Sequence, residues 1–266
     1  MLINKILETA KNAAFEAGKI HMQYFEKDKE INFKLNEFDL VTNADKQSEQ
    51  KILSIVQGKF PDHAILAEEG GVLGNENSDY LWIIDPLDGT TNYAHNFPQF
   101  AVSIAVYCDG KPLVGVIYDA VKKEMFFASK GQGAFLNEKP LKVSVVETLE
   151  KSLLATGFPY NREGAMEKNL EYFRHFLYKA QAIRRPGSAA LDLAYVAASR
   201  LDGFWELNLS PWDVAAGSLI VEEAGGRVTN FYSEGFNYNE KNILASNGLI
   251  HLEMKQNILE IDEKNN

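Results

Sequence analysis

The sequence predicts an α+β chain of two packed halves: an N-terminal α+β half over residues 1–148 and a C-terminal α/β half over residues 149–266. Three patterns predict it. Helical periodicity opens the chain, short β-rich runs broken by Gly, Pro, Asn and Asp fill Ala64 to Val146, and strand-like and helix-like segments alternate beyond Leu149. With 266 residues, 45% of them hydrophobic, the chain can bury a core that needs no covalent support, and its length is where single cores tend to divide.

Ile3, Leu7, Ala10, Ala14, Ala17 and Tyr24 recur at helical spacing, so a long amphipathic helix runs to about Glu26. The polar stretch Lys27 to Asp39 reads as a mobile loop. Thr42 or Asn43 then caps a second helix, with apolar positions Ala44, Ile52, Ile55 and Val56 and a stop at Pro61. Strands follow at Ala64 to Leu66, Leu81 to Ile84, Ala101 to Tyr107, Leu113 to Tyr118, Met125 to Ala128 and Gly133 to Leu136, which suit a mostly antiparallel sheet. Pro86 is expected to end the ladder of its strand. The second half reads as a strand near Leu153 to Thr156, helices around Met166 to Tyr178 and Ser188 to Ser199, a strand near Gly203 to Leu207, a helix from Pro211 to Ala224, and a strand near Ile243 to Ser246.

Cys108 is the single cysteine, which excludes an intrachain disulfide, and the charged start carries no secretory pattern, so a cytoplasmic protein is expected. No apolar run approaches the ~20 residues a membrane span needs. Thirty-seven acidic against 27 basic side chains give a net charge of −10, which disfavours direct contact with nucleic acid or anionic membrane. The five histidines lack His-Glu-x-x-His spacing, and neither Gly-x-Ser-x-Gly nor a P-loop is present, which sets aside zinc hydrolysis, serine hydrolysis and kinase-type nucleotide cradling.

Chemistry concentrates in the acids. In Trp82-Ile83-Ile84-Asp85-Pro86-Leu87-Asp88-Gly89-Thr90-Thr91-Asn92, two carboxylates leave one strand end together and repel unless cations or protons separate them. Mg²⁺, a hard oxygen-liganded ion, suits such a pair, and the N–H groups of Gly89, Thr90 and Thr91 at the following helix start suit a phosphate. Local Asx turns at Asp85 and Asp88 explain the same residues without a metal. Glu68 and Glu69 leave another strand end, where either completes a metal shell or both are solvated before the Gly70-Gly71 turn. Asp213, in Ser210-Pro211-Trp212-Asp213, reads as a capping-box acid, which explains the spacing without a metal, while the small-residue helix Ala215, Ala216, Gly217 supports a further ligand.

Together with Asp39-Leu40-Val41-Thr42-Asn43-Ala44-Asp45 and Gly187-Ser188-Ala189-Ala190, these segments resemble the signatures of the inositol monophosphatase family, of the lithium-sensitive, magnesium-dependent phosphatase superfamily, over Lys34 to Gly226. The resemblance implies a layered αβαβα sandwich of the sugar-phosphatase type, with Mg²⁺ held by Glu68, Asp85, the carbonyl of Leu87, Asp88 and Asp213. It implies that Glu68 and Thr90 activate the attacking water, that Asp45 is bonded behind Thr90, and that Lys34 lies near metal and phosphate. Gly89 and Thr90 would bind phosphate; Gly187, Ser188, Ala189 and Glu206 would line the pocket for the alcohol. The implied reaction is metal-assisted hydrolysis of a small phosphorylated polyol or sugar, foremost myo-inositol 1-phosphate.

Arg184 and Arg185 stand open between a second phosphate, a subunit contact and a solvated strand end. Fructose 1,6-bisphosphatase or a dual-specificity sugar phosphatase is therefore the alternative within enzymes. In another class, the chain is a partner-binding protein of the transcription machinery with secondary phosphatase activity. The family resemblance also implies a homodimer.

Overall fold

The computed structural model describes residues 2–27, 31–33, 40–159 and 164–264, with backbone alone at 31–33 and 40. Helix α1 (Leu2–Tyr24) leads to a short antiparallel hairpin, β1 (Ile31–Phe33) and β2 (Leu40–Thr42), where the sequence suggested irregular chain. Helix α2 (Asn43–Lys59) starts from Thr42, whose hydroxyl accepts the Ala44 N–H at 3.2 Å while Asp45 returns a bond to the Thr42 N–H, a reciprocal capping box.

Then follow β3 (Ala64–Ala67), β4 (Gly71–Gly74), β5 (Tyr80–Asp88), α3 (Thr90–Ala94), β6 (Ala101–Cys108), β7 (Lys111–Asp119), β8 (Glu124–Ser129), β9 (Ala134–Leu136) and β10 (Lys139–Pro140). They form an eight-stranded sheet in the order β10-β9-β8-β7-β6-β5-β3-β4, antiparallel except for the β3–β5 pair. After a 3₁₀ turn at Leu149–Lys151 come β11 (Leu153–Thr156), α4 (Ala165–Lys179), β12 (Ala182–Arg184), α5 (Ala189–Ala197), β13 (Gly203–Leu207), α6 (Pro211–Glu223), β14 (Arg227–Thr229), β15 (Asn242–Ser246) and α7 (His251–Lys264). The second sheet, β12-β11-β13-β15-β14, is parallel at β12-β11-β13 and antiparallel beyond.

Strand alternation stacks these elements into five layers. On β5 and β6, Trp82, Ile84, Val102, Ile104 and Val106 face α1 and α2, burying Ile6, Ala10, Ala14, Ile52 and Val56. Ile83, Ala101 and Ala105 point the other way, onto α5 and α6, which also carry Phe204, Ile243 and Ala245 of the second sheet. Its outer face, with Leu154, Trp205 and Leu244, is covered by α4 and α7 through Tyr172, Phe176, Met254 and Ile258. The order α1α2, sheet, α5α6, sheet, α4α7 is the expected αβαβα sandwich. Small residues set two of the spacings. A Cβ on Gly115 of β7 would stand 2.7 Å from the Ala216 carbonyl oxygen of α6, and one on Gly217 would stand 2.5 Å from Leu193 Cβ of α5.

No helix among the described residues is long and apolar enough to cross a membrane.

Candidate active site

Pro86 does not end β5. Its missing N–H is absorbed in a bulge: Asp85 stands opposite Ser103 and Asp88 opposite Ala101, so the strand carries one residue more than its neighbour. From α1, His21 Nε2 lies 2.9 Å from the Pro86 carbonyl oxygen. Burial lowers the His21 pKa to about 4, so the ring is neutral at pH 7 and donates from Nε2 to that carbonyl. The bulge is thereby fastened to the first helical layer.

Around the bulge, one carboxylate oxygen each from Asp85, Asp88 and Asp213 lies within 4.8 Å of the other two. Each acid also has a hydrogen-bond partner. Asp85 Oδ1 accepts the Leu87 N–H at 2.9 Å, and Asp213 Oδ2 accepts the Ser210 N–H at 2.6 Å in the capping box of α6. Asp88 Oδ2 accepts the Ser188 hydroxyl and, at 2.8 Å, the Ala190 N–H. The turn reading of Asp85 and the cap reading of Asp213 thus hold alongside their convergence, whereas Asp88 makes no turn bond among the described residues and reaches the start of α5 instead. Glu68 joins from the end of β3, where its N–H continues the ladder to the Ile84 carbonyl at 3.1 Å, and it hydrogen-bonds Asp85. The N–H of Glu69 instead meets Glu49 Oε2 at 2.9 Å.

Burial, then the charges of Glu68, Asp88 and Asp213, push the Asp85 carboxyl well above the usual range. Burial, then Asp88 and Glu68, do the same to Asp213. Asp88 rises to about 6 by burial, opposed by its bonds from Ser188 and Ala190. Asp85, Asp88 and Asp213, held this closely in low dielectric, retain protons unless a cation neutralises them. A donor set of carboxylate oxygens fits a hard divalent ion such as Mg²⁺ rather than a thiophilic or imidazole-seeking metal.

Beside them, Thr90 opens α3, and its Oγ1 lies 3.1 Å from Asp45 Oδ1 and 3.0 Å from the Leu87 carbonyl oxygen. Asp45 is fixed through Oδ2 by Thr42, and burial raises its pKa to about 6. Gly89 precedes Thr90 at φ 91°, and a Cβ there would come within 2.9 Å of the Gln99 carbonyl oxygen, so the turn accepts only glycine without strain. Asn92 ties this turn to the segment before α5: its Nδ2 donates to the carbonyls of Gln99 at 2.7 Å and Pro186 at 2.8 Å.

Glu68, Asp85, Leu87, Asp88, Gly89, Thr90 and Asp213 line one cleft open to solvent, whose far wall is Gly157, Phe158, Arg185, Gly187, Ala189, Glu206 and Leu209. Ser188 sits just behind the wall, 2% exposed, with its hydroxyl given to Asp88. Glu206 is buried at the end of β13, its pKa raised to about 8 by burial and by Asp213, against Arg185 and the Gly157 N–H. The arginine pair divides. Arg185 enters the cleft, while Arg184 is exposed and donates to its neighbour's carbonyl at 3.1 Å. Lys34 lies outside the described residues.

Sequence reasoning missed His21, Asn92, Gly157, Phe158 and Asp192. The last is buried between Glu206, Asp88 and Arg185, with Oδ1 lacking a hydrogen-bond partner among the described residues. Asn92 stands inside a quoted segment, yet nothing local indicates that its amide reaches residues 186 and 187; the others carry no local signal at all.

A sequence profile of the inositol monophosphatase family matches residues 3–265. An inositol-1-monophosphatase from Synechocystis is 46% identical over 250 residues, spanning 94% of this chain and 87% of that protein. The Nus factor SuhB of Pseudomonas aeruginosa is 44% identical over 247 residues, 91% of each. A solved inositol monophosphatase from Anabaena matches with a TM-score of 0.89 at 46% identity, covering 98% of this chain and 97% of that one. Agreement in sequence and architecture from end to end makes this chain a member of the inositol monophosphatase family, a hydrolase of phosphate monoesters.

Proposed function

We propose that the chain hydrolyses a polyol phosphate, foremost myo-inositol 1-phosphate, with Mg²⁺ held by Glu68, Asp85, the Leu87 carbonyl, Asp88 and Asp213. The convergence of Asp85, Asp88 and Asp213 within 4.8 Å, with Glu68 bonded to Asp85, is the observation that supports it. When bound there, Mg²⁺ supplies Lewis-acid polarisation of the phosphoryl group and lowers the pKa of water.

The protein's own groups do the remainder. Glu68 and Thr90 share the cleft wall and accept hydrogen bonds from the attacking water. The hydroxyl proton of Thr90 is shared between Asp45 Oδ1 and the Leu87 carbonyl, both acceptors, which leaves a lone pair on Oγ1 for that water. As the water oxygen bonds to phosphorus, its proton passes to Glu68, the ester P–O bond breaks, and the departing alkoxide takes a proton from solvent. The amides of Gly89 and Thr90 and the positive end of α3 receive phosphate oxygens. Gly187, Ala189 and Glu206 receive the alcohol, with Ser188 contributing by holding Asp88.

Arg185 lines the cleft beside the buried acids Glu206 and Asp192 and is itself exposed. The test is phosphate release from inositol 1-phosphate, fructose 1,6-bisphosphate, histidinol phosphate and 3′-phosphoadenosine 5′-phosphate, with Mg²⁺ or EDTA. Mg²⁺-dependent release, fastest from inositol 1-phosphate, supports the reading; preference for a bisphosphate or metal-independent release defeats it.

We assign the enzyme to the cytoplasm on its single cysteine, and give it a homodimeric state by likeness to the family. A second reading, a binding role like that denoted by the relatives named Nus factor, draws on the 44% identity to the Pseudomonas aeruginosa protein. Recovery of one partner from extract with both wild type and hydrolysis-dead Asp85→Asn would favour it; no partner with either protein would set it aside.

A further inference from the structure

Glu206 is held by a closed circuit of hydrogen bonds that begins and ends on its own strand. Trp205, its neighbour on β13, points to the opposite face and is wholly buried among Tyr172 and Phe176 of α4. The Trp205 indole N–H donates to Asn169 Oδ1 at 2.9 Å. An indole only donates, so the orientation of the Asn169 amide is settled and its Nδ2 turns to the Gly157 carbonyl at 2.5 Å. Asn169 is itself fully buried on α4. Gly157 directly follows β11, whose Thr156 pairs with Trp205 in parallel register, and its own N–H bonds the Glu206 carboxylate. The circuit therefore runs from Trp205 through Asn169 and Gly157 to Glu206, around the shared end of β11 and β13.

Absence of a side chain at 157 is part of the device. A Cβ there would stand 2.2 Å from Glu206 Oε1 and 2.3 Å from Oε2. Glycine's backbone freedom is not the reason, because φ at 157 lies outside the left-handed region. Space for the carboxylate is.

We propose that Gly157, held by Asn169 and Trp205, is a positioning residue that aims the Glu206 carboxylate at the hydroxyls of the substrate's alcohol, and so sets preference for polyol phosphates. This rests on the reading of Glu206 as the acceptor of those hydroxyls. Gly157→Ala should fold, since the backbone tolerates alanine and the obstructing atoms are the far end of one side chain, which swings away. The substrate's hydroxyls then lose their acceptor while phosphate keeps all its contacts.

The experiment compares wild type, Gly157→Ala, Glu206→Gln and the double variant, each saturated with Mg²⁺. It measures KM for myo-inositol 1-phosphate against the inhibition constant of inorganic phosphate, which has no hydroxyl-bearing alcohol. Assayed above pH 8, where Glu206 with its pKa of about 8 is ionised, Gly157→Ala and Glu206→Gln should each raise the ratio of KM to that constant about tenfold, the loss of roughly one hydrogen bond to a charged group. The double variant should be no worse than Glu206→Gln. A parallel rise in both constants with Gly157→Ala, as general loosening of the cleft gives, overturns the positioning role. So do multiplying effects in the double variant. If Glu206→Gln shifts the ratio and Gly157→Ala does not, the positioning role alone falls; if Glu206→Gln leaves the ratio unchanged, the assignment of Glu206 falls with it.

Discussion

Asp213 serves two masters, and they respond differently to one atom. Its Oδ2 caps α6 through the Ser210 N–H, a bond that an asparagine oxygen can also accept, whereas its charge opposes those of Asp88 and Glu68. Asp213→Asn should therefore keep the helix start and relieve repulsion, raising the metal-free melting temperature by roughly 2–4 °C per kcal/mol relieved. The same change should lower kcat more than about 100-fold, beyond the usual cost of losing a group that merely supports a ligand. Calorimetry in EDTA and turnover in Mg²⁺ check the pair; a lower metal-free melting point would show that the cap, not repulsion, dominates. Thr90 permits a similar separation. Thr90→Ser retains the hydroxyl between Asp45 and Leu87, so kcat should stay within a few-fold, whereas Thr90→Ala should cost about 100-fold if that hydroxyl directs the water.

Elements meet where side chains are smallest. Helix α6 approaches β7 so closely at Gly115 that an added Cβ would face the Ala216 carbonyl, which is backbone and cannot rotate away. Gly115→Ala should cost about 1–3 kcal/mol by overpacking. Because α6 carries Asp213 in its first turn, the displacement should also raise the Mg²⁺ concentration needed for half-maximal rate. Activity titrated with Mg²⁺ tests this, and a destabilised variant with an unchanged Mg²⁺ requirement would show that α6 yields without moving its N-terminus. At the bulge of β5, an element is shaped from a distance: His21 of α1 donates to Pro86, so the first helix steadies the turn that carries Asp85 and Asp88.

For the whole molecule, the buried acids set an unusual dependence of stability on pH. Glu206 has a folded pKa of about 8, and Asp85, Asp192 and Asp213 lie well above the carboxylate range. A carboxyl raised above its unfolded value holds its proton in the fold, so its stabilisation is present at low pH and lost as pH climbs through the folded pKa. His21 and His251, lowered to about 4, act in the opposite sense but only below about 6.5, where the unfolded imidazole takes up a proton. Between pH 7 and 9 the acids act alone. In EDTA the melting temperature should fall across that interval, with Glu206 contributing about 1 kcal/mol or a few degrees. Glu206→Gln should blunt the fall, and saturating Mg²⁺ should flatten it by neutralising the charge at Asp85 and Asp213. A melting point that rises from pH 7 to 9 in EDTA would contradict the raised values.

The amino-acid sequence by itself determined the order of the main elements, because core strands such as Leu81 to Ile84 are continuous apolar runs of strand length and helices such as α1 carry their burial as a period of 3.6. It also marked Asp85, Asp88 and Asp213 as candidates, since they sit beside Pro, Gly and a helix start, where strand ends and turns are written locally. It did not reveal β4, β10, β12 or β14, which are edge strands too short to show a period, nor α7, whose narrow stripe of Met254, Ile258 and Ile261 is set among polar residues. The Glu68-Glu69 pair itself left the choice open and only the family resemblance named Glu68; in the fold Glu68 reaches Asp85, because the β3 ladder continues through its N–H to Ile84. Tertiary structure alone separated Arg185 from Arg184, and joined Trp205, Asn169 and Gly157 behind Glu206. Those choices depend on distances between residues remote in the chain, which no local pattern encodes and only packing brings within a hydrogen bond's reach.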